Sequence, residues 1–176
     1  MHFLNNGKHA LVFPPRCGTR WIAGVLYDNG LIDTKGPHHN FEWVEKPNID
    51  TFMFVRNPFT RERSIHRWLA EVNKIDINTF TFEDYIDSKE FNTEGSWYTR
   101  YGNLNNYVTH IHLEKLNEFL ENTLEIEAPK YNDLYHMEDD NRNDDDIFKN
   151  QYIIDKILEK YKEDLLHIKF DLTSYI

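Results

Sequence analysis

Two short apolar runs, each broken by a polar corner that leads into an amphipathic stretch, constrain this chain more than any other feature. The first is His9-Ala10-Leu11-Val12-Phe13, stopped by Pro14-Pro15. Proline has no N–H to give to a ladder and pushes the residue before it out of the helical region, so the run ends there. Beyond a loop at 14–19, Trp21, Ile22, Val25 and Leu26 fall on one face of a helix expected over Arg20 to Asn29, with Gly30 as its stop. The second run is Thr51-Phe52-Met53-Phe54-Val55, ended by Arg56-Asn57-Pro58. Asparagine suits a helix N-cap and proline the first helical position, which predicts a helix to about Val72. Both runs are apolar throughout rather than alternating, as in strands covered on both faces. Strand, corner and helix, twice over, predict an α/β fold: a central parallel sheet flanked by helices, in a single domain spanning 1–176.

The rest of the chain continues in the same style. Thr81-Phe82-Glu83-Asp84 reads as a capping box with Asp in place of Glu, opening a short helix to Ser88. Residues 91–106 read as loop. Tyr107 to Leu113 reads as a strand, and Leu116, Phe119, Leu120 and Leu124 take helical spacing. Residues 138–146 are a charge block, expected as a solvated loop. A last helix is expected over 150–163, from Ile153, Ile154, Ile157, Leu158 and Tyr161.

Charge narrows the class of partner. Against 20 Lys and Arg stand 30 Asp and Glu, a net charge of −10. Nucleic-acid and anionic-membrane binding need positive surface, so neither is expected, although a local basic pocket can still hold a small anion. The one cysteine, Cys17, rules out an intrachain disulfide. With no basic-then-apolar leader at the N-terminus and no membrane-length apolar run, the expected location is the cytoplasm.

The chemistry concentrates at Pro15-Arg16-Cys17-Gly18-Thr19-Arg20-Trp21. A glycine-bearing loop between a buried strand and a helix turns backbone N–H groups toward the positive helix end, which is an anion site. Arg16 and Arg20 add charge and Thr19 a hydroxyl. A nucleotide-triphosphate loop of the form GxxxxGK[ST] needs a first glycine and a lysine that are missing here. The second strand ends in Arg56, where an NTPase commonly keeps an Asp for Mg²⁺. A cation there repels a metal and attracts a second phosphate, and Ser64, eight residues on, brings a hydroxyl.

These two runs resemble the sulfotransferases that use 3′-phosphoadenosine 5′-phosphosulfate (PAPS), above all the short carbohydrate-type branch. Pro15 to Trp21 is similar to their 5′-phosphosulfate loop, usually Pro-Lys-x-Gly-Thr-Thr and often followed by Trp. Phe54 to Ser64 is similar to their 3′-phosphate motif. Val108 to Leu120 and the late Tyr161 to Leu165 also have counterparts. The resemblance implies a P-loop nucleotide-binding architecture and transfer of a sulfuryl group to an acceptor hydroxyl on a carbohydrate or small molecule, without a metal. It implies cofactor contacts from Arg16, Cys17, Gly18, Thr19, Arg20, Trp21, Arg56 and Ser64, with Trp21 stacking on adenine. Arg16, in place of the usual lysine, also counts as a catalytic cation, since arginine keeps its charge and binds phosphate bidentately. The helix after the loop carries Gly24 where some relatives keep a catalytic Glu. The base is therefore expected between the two motifs, from His38 or His39, with Glu42 and Glu45 in reserve.

Other readings stand beside these. Trp21 reads as core on periodicity alone, and Cys17 as a small loop filler. Arg61, Arg63 and Arg67 could form a basic track for a sulfated acceptor or a plain solvated face. His110 and His112 alternate on a strand without a third ligand at metal spacing, and the 138–146 block lacks the glycine and terminal Glu of a calcium loop. A chain this short leaves little material for an acceptor pocket, so the alternative function is a catalytically degenerate module that binds PAP, the desulfated product. A small-molecule kinase is the third reading, disfavoured by the missing lysine and acid.

Overall fold

The computed structural model describes residues 2–33, 48–93, 108–127 and 144–173, which divide into two compact units. The first holds residues 2–33, 48–56 and 108–127 and is α/β. Its strands are β1 (His2–Phe3), β2 (His9–Val12), β3 (Asp50–Val55) and β4 (Thr109–His112), in the order β1-β2-β3-β4. β1 runs antiparallel to β2, while β2, β3 and β4 are mutually parallel, with Leu11 beside Phe52 and Val55 beside His112. The two apolar runs are therefore neighbours whose polar corners open at the same end of the sheet. Successive strand residues point to opposite faces. Leu11 and Val12 are buried in succession, as are Met53, Phe54 and Val55, so both faces of these strands are covered. β1 is too short to carry a periodic signal and had none in the sequence.

Helix α1 (Thr19–Asp28) follows β2 and ends at Asn29, with Gly30 at φ 69° as expected of its stop. A 3₁₀ turn at Leu113–Lys115 leads from β4 into α5 (Leu116–Thr123). Phe119 of that helix sets its ring edge-on to Phe52, at 4.9 Å, and to Phe54, at 5.6 Å. Phe13 stacks on Phe54 from the β2 side at 5.7 Å. Phe13, Phe54 and Phe119 are buried, and a phenylalanine so buried contributes about 1.5–3 kcal/mol.

The second unit holds residues 57–93 and 144–173 and is helical. It contains α2 (Pro58–Asn73), α3 (Phe82–Asp87), α4 (Lys89–Thr93), a 3₁₀ turn at Asp144–Lys149, α6 (Gln151–Lys160) and α7 (Lys162–His167). Asn57 caps α2 as expected: its side-chain oxygen accepts from the Phe59 N–H at 3.0 Å while its amide donates to the Asp171 carbonyl at 2.8 Å. The Thr81–Asp84 capping box forms in full, and the Thr81 hydroxyl and N–H hold the Asp84 carboxyl below its ordinary range. Two expectations are corrected. The loop expected from residue 91 is still helical in α4 up to Thr93, and the last helix is two, broken at Tyr161. Tyr161 stands at the break with its N–H still on the Ile157 carbonyl at 3.1 Å, its ring fully buried and its hydroxyl on Glu62.

Glu62 is the polar centre of this unit. Its carboxylate is wholly buried and accepts from the hydroxyls of Tyr85 and Tyr161, from Lys160 Nζ at 3.0 Å and from Arg61 at 3.4 Å. Arg61 also donates to the Tyr161 hydroxyl at 2.5 Å. Burial, followed by the Glu62 charge, pushes the Tyr85 hydroxyl far above the ordinary tyrosine value. Burial does the same at Tyr161, so both phenols remain donors. Arg61 is 1% exposed, which removes it from any basic surface track. Among the described residues, no helix is long and apolar enough to cross a membrane.

Candidate functional site

The loop after β2 carries two left-handed residues. Arg16 stands at φ 64° and Gly18 at φ 69°, both left-handed, while Cys17 between them is not. Left-handed residues in alternation with right-handed ones are the backbone pattern of an anion nest. Gly18 is also the N-cap of α1, with no side chain of its own to close the helix end. The first N–H groups of α1 therefore add to the same donor surface. Glycine suits position 18 through its positive φ, and a Cβ there would stand 2.7 Å from Cδ1 of Leu113, a side-chain end that would have to shift.

The charges around this turn make no sense as helix stabilisers. α1 has no acidic residue in its first turn. Instead Arg20 is exposed in that turn and Arg16 is half-buried just before it. Cations at the positive end of a helix are unfavourable by roughly 0.3–1 kcal/mol each, and an anion in the nest reverses the sign. Arg56, one residue past β3, donates to the Arg16 carbonyl at 3.3 Å. The loop, the first turn of α1 and the end of β3 thus form one cationic corner in the first unit.

Several residues expected to touch a cofactor have other work. The Thr19 hydroxyl donates to the Pro14 carbonyl at 2.8 Å and is buried, so its single proton braces the loop and only its backbone N–H faces the nest function. The Cys17 side chain is wholly buried and packs in the core. Trp21 is 3% exposed and belongs to the core, as its periodicity alone suggested, so its indole offers no open face to a purine. Ser64 is half-buried on α2 in the second unit. His38, His39, Glu42 and Glu45 lie outside the described residues.

One feature went unread in the sequence. A cleft of about 270 Å³ opens along β4 and α5, lined by His110, His112, Lys115, Glu118, Asn122 and Phe119. Burial lowers the His112 imidazole below its ordinary value, a shift that Lys115 supports and Glu114 opposes. Among the described residues no three metal-ligating side chains gather to hold an ion, here or elsewhere. That the two histidines share a cleft with Glu118 and Asn122 of α5 comes from packing, which spacing along one strand does not reveal. Comparison of the whole chain with protein-family models, with curated proteins and with solved structures finds no match in any of the three.

Proposed function

We propose that this chain is a PAPS-dependent sulfotransferase acting on an acceptor hydroxyl of a carbohydrate or small molecule. The observation that carries the reading is the cationic corner: a nest of alternating backbone at the start of α1, two arginines beside it, and a third arginine at the end of the parallel neighbour strand. The chemistry of this donor set fits a phosphosulfate with a further phosphate, because it offers N–H groups and permanent cations. Bound PAPS would supply the sulfuryl group. The N–H groups of residues 16–20 with Arg16 and Arg20 would hold the 5′ end and neutralise charge on its oxygens, and Arg56 would hold the 3′-phosphate. Ser64 comes into the reading through the sequence motif alone. His38 or His39 would take the proton of the acceptor hydroxyl as its oxygen attacks sulfur in line with the departing phosphate oxygen.

PAP is the ligand with which to test the corner. At about 100 times its Kd a ligand adds about 2.7 kcal/mol to folding stability. In a chain of this size that raises the melting temperature by roughly 5–10 °C. Thermal unfolding should show that rise with PAP and a much smaller one with ATP and Mg²⁺. Equal stabilisation by ATP and Mg²⁺, or none by PAP, contradicts the assignment.

A further inference from the structure

The contact between Arg56 and the Arg16 carbonyl at 3.3 Å gives Arg56 a task inside the loop itself. An arginine has no intrinsic preference for φ 64°, and such a conformation persists only where its surroundings over-determine it. Among the described residues, the side chains of Thr19 and Arg56 grip loop carbonyls. Thr19 takes that of Pro14 at 2.8 Å, and Arg56 takes that of Arg16. A nest binds an anion through converging N–H groups, so the carbonyls of the same peptides must face outward. Were the peptide between Arg16 and Cys17 to turn over, its oxygen would enter the cradle and repel the ligand. We infer that Arg56 is a positioning residue for the anion loop: it holds the Arg16 carbonyl outward and so keeps the cradle formed before any anion arrives. The inference rests on the PAPS reading of the corner and adds a consequence to it. Arg56 matters even to ligands that have no 3′-phosphate.

The full chain and its Arg56→Met variant test this with two readings. One is calorimetric titration with inorganic pyrophosphate, which has no 3′-phosphate. The other is ¹⁵N relaxation dispersion at the Cys17 and Gly18 amides without ligand, which reports microsecond-to-millisecond exchange. Arg56→Met should weaken pyrophosphate by about tenfold, the loss of one charge-assisted hydrogen bond's worth of preorganisation, and should broaden both amides. Lys115→Met, removal of another cation of the same unit, should change neither reading. Should Arg56→Met fail to fold, Arg56→Lys keeps the charge with a shorter reach and should still broaden the loop amides. Unchanged pyrophosphate affinity overturns the inference, and so does weakened binding with quiet amides, which is the signature of lost charge alone. If the parent chain binds neither PAP nor pyrophosphate, the PAPS reading falls, while the amide reading on the unliganded chains still decides the role of Arg56.

Discussion

Glu62→Ala is expected to lower the unfolding free energy by about 3–5 kcal/mol, read from urea or guanidinium denaturation. The size follows from what the substitution strands. Arg61 and Glu62 are 1% and 0% exposed, and Lys160 is nearly as buried, so two cations and two phenols lose their common acceptor in the unit's interior. Taking one partner from a buried charged cluster costs far more than the cluster is worth intact, because the remaining charges stay desolvated. A domain of ordinary stability has only about 5–15 kcal/mol to lose. Glu62→Gln, which keeps one acceptor oxygen and the shape, should cost clearly less. A loss below about 1 kcal/mol for Glu62→Ala would mean that water enters the cluster and that Arg61, Lys160, Tyr85 and Tyr161 do not depend on it.

His38→Ala and His39→Ala, made separately, carry the largest expected effect on turnover. One of them should lower the rate of sulfuryl transfer by about 10²–10⁴-fold while PAP binding persists, since a general base acts on the acceptor and not on the nucleotide. The rate of the parent chain should also fall toward acid pH, where an imidazole takes up a proton and can no longer accept one. Near-full activity in both variants would move the base to Glu42 or Glu45. Loss of PAP binding in both would give the pair a structural role.

Where one residue decides local backbone, the sequence was readable. Asn57-Pro58 caps α2, Thr81 and Asp84 close their box, and Gly30 stops α1, each for reasons internal to a few neighbouring residues. The two apolar runs became adjacent parallel strands because both needed cover on two faces. What stayed hidden was decided by packing between distant parts of the chain. Tyr161, at the break in the last helix, gives its hydroxyl to a carboxylate 99 residues away in sequence. Arg61, one of three arginines near the start of α2, turned out to serve that same buried group. Within the candidate site, the glycine and the arginines could be read from their types alone. The bond that commits the Thr19 hydroxyl to Pro14 could not, because a hydroxyl's choice between an anion and a carbonyl depends on how the loop is folded. The contact of Arg56 with the Arg16 carbonyl was hidden for the same reason, since it joins residues 40 apart across the sheet.

The most direct test of the central claim is transfer of labelled sulfate from PAPS to a mixed panel of carbohydrate and small-molecule acceptors, with PAP release followed alongside. The account predicts label in at least one hydroxyl-bearing acceptor, one PAP released for each sulfate transferred, and no need for a divalent metal. PAP binding without any transfer across the panel would contradict it and leave a nucleotide-binding module without catalysis. Phosphate transfer from ATP and Mg²⁺ in place of sulfate transfer would make the chain a kinase.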